Sequence, residues 1–215
     1  MRIDIVFDTV CPWCYIGKRR LDRALAARPD VLPELRWRSF LLNPEIPEQG
    51  IDRQAYLERK FGSTYRIHRI HGAAILAGQA EGINFNFESM TRTPNSIHSH
   101  RLIHYATDSA HQADIVEAIF HAYFVEGLDI GDVAVLHRIA EQCGLPGDAT
   151  EDYLRSGLGA ATVEGEHTRM HRLGVSGVPC YIFDERYAVS GAQEPDILVR
   201  LIDIAREAQL ETTSS

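Results

Sequence analysis

The sequence predicts an α/β fold in which a large all-helical insertion divides a small sheet into two parts. Strand signals occur at both ends of the 215-residue chain, the middle carries helical periodicity, and two cysteines mark the first junction between strand and helix. A chain of this length buries about 70% of its unfolded surface, enough for one sizeable core. We expect a split domain at 1–43 and 155–211, a helical insertion at 44–154 and a disordered polar tail at 212–215.

The first part of the split domain is predicted to contain a strand, a helix and a second strand. Residues 3–8 alternate acidic and bulky apolar side chains, which indicates a strand with a buried face. Pro12 suits the first turn of the helix that follows, because a residue there needs no N–H for an intrahelical bond. Apolar and basic residues alternate again over 34–40, which predicts the second strand.

The middle of the chain, from about 43 to 153, carries no convincing strand signal. Residues 115–123 place apolar side chains at helical spacing, and 132–144 has an N-terminal Asp and a C-terminal Gly that bracket another helix. Asn95 fits the N-cap of a third helix. Two more helices are expected within 53–80, so this block is predicted to be all-helical.

Strand signals return near the C-terminus. Residues 178–183 form a short apolar run entered through a proline, and 187–190 is expected to pair back on it as a hairpin. A last amphipathic helix begins near Pro195. The predicted order is therefore strand, helix, strand, helical insertion, hairpin and helix.

Composition excludes several functional classes. Lys plus Arg number 22 and Asp plus Glu number 30, so the net charge of −8 argues against a protein that binds nucleic-acid backbones. A membrane span would need about 18 consecutive apolar residues, and the sequence has no such run. Four cysteines are too few for a disulfide-stapled secreted module, and the N-terminus lacks a signal-peptide core. We therefore expect a cytoplasmic protein.

The strongest chemical signal is Cys11-Pro12-Trp13-Cys14. Two cysteines three residues apart at a helix start face each other across one turn, which permits a disulfide that opens and closes easily. Backbone N–H groups at the helix start favour an anion at Cys11, the expected nucleophile, while Cys14 is placed to resolve a mixed disulfide. A pair of buried structural thiols is the alternative. Zinc would need further ligands at suitable spacing, so no metal and no organic cofactor are expected.

Taken together, the motifs resemble the DsbA-like thiol:disulfide oxidoreductases and, within them, the FrnE branch. The resemblance rests on C-P-W-C-Y-I-G-K-R-R, L-N-P-E, R-T-P-N-S-I-H-S-H-R-L-I-H, A-Y-F-V-E-G-L-D-I-G-D and Y-A-V-S-G-A-Q. It implies a thioredoxin fold with a helical insertion and disulfide exchange through Cys11 and Cys14. It also implies a cis peptide bond at Val178–Pro179 beside the dithiol, where Val178 would pair with an extended substrate segment.

Two other functions stay open. The first is a glutathione-dependent isomerase or transferase, since 2-hydroxychromene-2-carboxylate isomerases and kappa-class glutathione transferases are similar in layout. Those relatives carry serine in place of the first cysteine, whereas this sequence has Cys11. The second is a non-catalytic binding or chaperone module. We expect a thiol or disulfide substrate, peptide or small molecule, with glutathione as a candidate co-substrate. A monomer or homodimer without nucleic-acid or membrane partners is predicted.

Further residues are expected around the dithiol, where Pro12 and Trp13 shape the site. The candidate substrate-binding residues are Asn43, Arg92, Asn95 and Ser96 together with the turn Gly191, Ala192 and Gln193. A cation beside a helix start, or a turn with free N–H groups, suits a carboxylate or a carbonyl. Cys180 is expected either as a third thiol or as a buried small apolar residue, and Cys143 as inert core. His98 and His100 are candidate proton shuttles, with ordinary surface histidines as the alternative.

Overall fold

The computed structural model describes residues 1–107 and 111–213 of the chain. In chain order its elements are β1 (Arg2–Phe7), α1 (Pro12–Ala26), β2 (Glu34–Ser39), β3 (Ile51–Asp52), α2 (Arg53–Phe61), α3 (Thr64–Ala80), β4 (Arg92–Thr93), α4 (Ile97–Tyr105), α5 (Gln112–Phe124), α6 (Val133–Gln142), α7 (Gly147–Arg155), α8 (Ala160–Arg172), β5 (Cys180–Phe183), β6 (Tyr187–Ser190) and α9 (Pro195–Thr213). The predicted α/β fold with a helical insertion is confirmed.

One four-stranded sheet, in the order β2-β1-β5-β6, joins the two ends of the chain. β1 runs parallel to β2 and antiparallel to β5, with Ile5 opposite both Trp37 and Tyr181. Because neighbouring residues of a strand face opposite sides, β1 is buried on both faces. Ile5 points into the main core, whereas Val6 packs into a smaller cluster with Met170 of α8.

The helical insertion packs against α1 through aromatic side chains. Tyr15 of α1 stacks on Phe120 of α5, with ring centroids 5.1 Å apart. The Tyr15 hydroxyl donates to Glu117 over 2.7 Å, and burial raises the pKa of this tyrosine to about 12. Tyr15 therefore packs under the helix and fixes the insertion relative to the start of α1.

Among the helices of the described residues, none combines the length and hydrophobicity needed to cross a membrane.

The insertion differs from the prediction in two ways. It contains a small ladder in which Ile51 of β3 pairs with Thr93 of β4, so it is not strictly all-helical. Two-residue strands are too short to leave an alternating pattern in a sequence. The helices α7 and α8 were also missed, because each buries only two side chains and so lacks a broad apolar stripe.

The ends of two helices also differ in detail. The N-cap of α4 is Ser96, and Asn95 instead accepts a hydrogen bond from the Ile97 N–H over 2.9 Å. The last helix continues through Thr213, so it includes the first two residues of the tail expected at 212–215. Ser214 and Ser215 lie outside the described residues.

A glycine allows α1 to approach β5 closely. A Cβ atom at Gly17 would clash with the hydroxyl oxygen of Tyr181 and would lie 3.0 Å from Cγ of Pro179. The Tyr181 hydroxyl is buried and has no hydrogen-bond partner in the described part of the chain. This contact holds the helix that starts at the cysteine pair against the strand that follows Pro179.

Replacing Gly17 by alanine should therefore destabilise the protein. We expect Gly17→Ala to lower the free energy of unfolding by about 1–3 kcal/mol, because a packed core resists added volume. The control is Gly165→Ala in α8, where no neighbouring atom lies within 4 Å and which should be neutral or stabilising by about 0.5–1 kcal/mol. Urea unfolding measures both. Tyr181→Phe should partly rescue Gly17→Ala, and an unchanged stability of Gly17→Ala would contradict the close approach.

Candidate active site

The cysteine pair lies where β1 meets α1. Cys11 is the N-cap of α1, its N–H donates to the Asp8 carbonyl over 3.1 Å, and Pro12 is the first helical residue. The Cys14 N–H donates to the Cys11 carbonyl over 3.0 Å, which brings the two residues into one turn. Both are free thiols, and their exposed fractions are only 5% and 3%. The two cysteines thus hardly differ in exposure.

The chain segment before β5 closes over the first thiol. The Val178–Pro179 peptide bond is cis, and the Cys11 thiol donates to the Val178 carbonyl at 3.8 Å. The Pro179 carbonyl in turn accepts from the Gly191 N–H over 2.7 Å. Val178 and Pro179 thus lie beside the dithiol, where the family resemblance placed them.

The second thiol is held in its neutral form. Burial raises the pKa of Cys14 well above its ordinary 9.0, and the hydrogen bond and charge of Cys11 raise it further. A backbone hydrogen bond from Asp8 lowers this pKa, while the charge of the Asp8 carboxylate raises it. A raised pKa favours the protonated thiol at Cys14.

Asp8 is a site residue that the sequence interpretation missed. Its carboxylate is fully buried and accepts hydrogen bonds from the N–H groups of Val10 and Leu42, over 3.3 and 2.7 Å. His100, also fully buried, places Nε2 at 3.4 Å from the same carboxylate. The available signal was an acid at the end of an apolar strand, three residues before Cys11. Asp8 fixes the loop that carries the nucleophile.

A cavity of about 280 Å³ opens beside the dithiol, between α1 and the insertion. Cys11, Pro12 and Trp13 form one wall, and Asn43 lies opposite them. The Asn43 amide oxygen accepts from Lys60 Nζ over 2.8 Å and from the Tyr56 hydroxyl over 2.5 Å. The structure therefore brings Asn43 and Trp13 to the site as expected. Trp13 is 36% exposed at the cavity mouth.

Of the predicted segment around Arg92, the candidate residues Arg92, Asn95 and Ser96 do not line this cavity. Arg92 donates to the Gln49 carbonyl and pairs with Asp129 at 3.4 Å, so its charge is already neutralised. Asn95 donates to the Ile46 carbonyl over 2.6 Å and caps the next helix, and Ser96 is buried at that helix start. These three residues have structural partners within the protein, and their expected contact with substrate stays a prediction.

The turn that contains Gly191, Ala192 and Gln193 lies beside Pro179 but is already hydrogen-bonded. Gly191 donates its N–H to Pro179, and the Gln193 N–H returns to the Gly191 carbonyl over 2.8 Å. Arg20 of α1 donates to the Ala192 carbonyl over 2.6 Å. Most of the backbone N–H groups that were expected to bind an anion are therefore already hydrogen-bonded within the protein.

The remaining candidates lie elsewhere. Cys180 packs with Val6 and Met170 on the opposite face of the sheet from the dithiol, because side chains alternate along β5. It is a buried small residue, and the structure does not bring it to the dithiol as a third thiol. Cys143 packs at the edge of the main core. His98 contacts Glu48 and Arg101 rather than the dithiol, whereas His100 contacts Asp8.

A metal ion would need a cluster of ligating side chains within the described residues. No group of three or more His, Cys, Asp or Glu side chains among them is arranged to hold an ion. The chemistry available at this site is thus that of two thiols, a buried carboxylate and a buried imidazole.

Comparison with known structures shows the same architecture in three proteins. A probable DsbA oxidoreductase from Streptomyces coelicolor is 28% identical and covers 96% of this chain and 90% of its own, with a TM-score of 0.86. A 2-hydroxychromene-2-carboxylate isomerase is 18% identical over 100% of both chains, with a TM-score of 0.70. The cytosolic disulfide reductase DsbM from Pseudomonas aeruginosa, solved with GSH, is 19% identical over 98% of this chain and 100% of its own, with a TM-score of 0.69.

The last two likenesses, below 25% identity, show the fold alone. The first agrees with a match to the family model of the DSBA-like thioredoxin domain, which extends over residues 2–203. The expected thioredoxin fold with a helical insertion is thereby confirmed. With nearly its whole length matched, this chain belongs to the DSBA-like thioredoxin domain family.

Proposed function

We propose that this protein is a thiol:disulfide oxidoreductase that exchanges disulfides through Cys11 and Cys14. One observation carries the proposal: two free thiols lie within one turn at the start of α1, and the first of them lines a cavity. The family and the likeness to a probable DsbA oxidoreductase support it. Placement in the FrnE branch stays a prediction.

In the oxidising direction for the protein, the reaction has two steps. The Cys11 thiolate attacks one sulfur of a substrate disulfide, forms a mixed disulfide and releases the other half as a thiolate. Cys14 then loses its proton and attacks the Cys11 sulfur, which releases the second substrate thiolate and leaves a Cys11–Cys14 disulfide. Two electrons pass to the substrate. The proton that left Cys11 before the attack and the proton of Cys14 end on the two released thiols. The reverse sequence oxidises a substrate dithiol.

The proposed mechanism also includes a backbone contact for the substrate and a candidate co-substrate. The backbone of Val178 faces Cys11 and can pair with an extended substrate segment, as strand addition does elsewhere. Glutathione is a candidate co-substrate, because the similar DsbM was solved with GSH. That relative is named as cytosolic, which supports a cytoplasmic location for this protein.

The isomerase and the binding-module alternatives receive less support. The isomerase shares the fold at 18% identity, but the resemblance implies serine in such isomerases where this chain has Cys11. A binding module would have no use for a second thiol whose pKa is raised beside the first. Disulfide exchange uses both cysteines and therefore accounts for the site best.

Removing the resolving thiol should trap the first step. We expect Cys14→Ser, mixed with an oxidised substrate, to accumulate a mixed disulfide at Cys11, because no second thiol releases it. Mass spectrometry of the intact chain and its peptides measures the adduct. Cys180→Ser is the control and should turn over like the wild type, since Cys180 faces the other side of the sheet. Absence of any adduct at Cys11 would refute the two-step mechanism.

Removing the charge of Asp8 should make Cys14 more acidic. In a Cys11→Ser background, alkylation of Cys14 should show a pH midpoint above 9.0, since burial alone raises the pKa of this thiol. Adding Asp8→Asn should lower that midpoint, because a nearby negative charge disfavours the thiolate. Peptide-resolved iodoacetamide labelling against pH measures it.

The matched control is Asp148→Asn, which removes an equal charge at an exposed position of α7. It should leave the midpoint of Cys14 where it was. A midpoint that Asp8→Asn leaves unchanged or raises would contradict the role assigned to this carboxylate.

A further inference from the structure

We propose that the cavity beside Cys11 contains a carboxylate subsite centred on Arg53, and that the preferred substrates are small disulfides or thiols that carry a carboxylate. This inference rests on the proposed disulfide exchange and specifies its substrate class. Arg53 and Lys60 of α2 line the same cavity as Cys11. Among the described residues that line it, none is Asp or Glu. Two cations without acids are notable in a chain of net charge −8.

Arg53 is a buried cation without a counter-ion. Its exposed fraction is 9%, and within the described part of the chain no carboxylate forms an ion pair with it. One of its side-chain N–H groups donates to the Tyr123 hydroxyl over 3.2 Å, but Nε is buried and has no acceptor. A guanidinium has five donors, and a buried charge left unpaired is costly. An incoming carboxylate would satisfy both the charge and the free donors.

Two neighbours of Arg53 strengthen this assignment. The Thr93 hydroxyl also lines the cavity, is buried, and lacks a hydrogen-bond partner among the residues described. Burial, and then the positive charge of Arg53, lower the pKa of His71 on the cavity wall to about 4. His71 is therefore uncharged at neutral pH, and Arg53 is the buried positive charge that an anion would meet.

Lys60 lies nearer the solvent, on the exposed side of α2. Its ammonium donates to Asn43 and to Tyr56, both neutral side chains, and pairs with no carboxylate of the described chain. An exposed cation at the mouth of a cavity attracts anions from solution. Lys60 thus steers the substrate, and Arg53 binds its carboxylate.

The rest of the lining fits the body of a small molecule. Trp13, Phe61, Phe87 and Phe124 present apolar rings, and the volume of about 280 Å³ is at the lower end for small-ligand sites. A disulfide whose carboxylate reaches Arg53 would have its apolar part against these rings and its sulfur near Cys11. Exchange then proceeds by the two balanced steps given above, with no additional reactant.

Two coloured disulfides test the proposal directly. One is 5,5′-dithiobis(2-nitrobenzoate), an aromatic disulfide with a carboxylate on each half, and the other is 4,4′-dithiodipyridine, which is aromatic and uncharged at neutral pH. Stopped-flow absorbance would give the rate of reaction of the reduced protein with each. The quantity compared is the rate for the carboxylated disulfide divided by the rate for the neutral one.

Arg53→Gln should lower this ratio by about tenfold or more, because a charge-assisted hydrogen bond is lost. Arg53→Lys should restore part of it. Lys60→Gln should lower the ratio less, and added salt should abolish its effect, since exposed charges are screened. The matched control is Arg59→Gln, which removes an exposed cation of the same helix outside the cavity lining and should leave the ratio unchanged.

A ratio that Arg53→Gln and Arg59→Gln change equally, or not at all, would overturn the subsite. Should Arg53→Gln fail to fold, as circular dichroism would show, the rate ratio of the exposed Lys60→Gln variant is compared with that of Arg59→Gln. Equal ratios for these two variants would overturn the subsite. Failure of the reduced wild type to react with either disulfide would instead refute the proposed function, and the subsite with it. If Arg53→Gln and Arg59→Gln both lower the ratio while Cys11 still reacts, the subsite is refuted and the proposed function stands.

Discussion

Burial of the Cys11–Cys14 pair between α1, the Val178–Pro179 segment and the helical insertion is the constraint on which the rest of the site depends. Both cysteines are almost fully covered, and this burial raises the pKa of Cys14. In the proposed mechanism, Cys14 therefore keeps its proton until a mixed disulfide forms at Cys11. Cys11 also lines the cavity beside the pair. Under the proposed function, selectivity would come from the cavity wall, because thiols react with any accessible disulfide.

Much of the fold could be predicted because its signals are local. The alternation in β1, the proline at the start of α1 and the apolar stripe of α9 each lie within a few consecutive residues. The elements that were missed have weak local signals. The two-residue strands β3 and β4 pair across some forty residues, and α7 and α8 bury only two side chains each.

The site was only partly predictable, for a similar reason. The two cysteines lie three residues apart, and this spacing indicates redox chemistry from the sequence alone. Asn43 was correctly predicted to lie near them. The sequence could not show that Arg92 would pair with Asp129 while Arg53 has no ion pair among the described residues, because ion pairs form between distant segments. Nor could it show which face of β5 would carry Cys180, since that depends on the register with β1.

The central claim is that Cys11 and Cys14 form one reversible two-electron couple, and equilibrium titration tests it most directly. The reduced protein would be equilibrated at pH 7 in buffers of varied glutathione ratio, acid-quenched, and analysed by mass spectrometry. The account predicts a single transition to a species that has lost two hydrogen atoms and holds a Cys11–Cys14 disulfide. A protein that stays reduced throughout, or that gains glutathione at Cys11 without ever forming the internal disulfide, would contradict it.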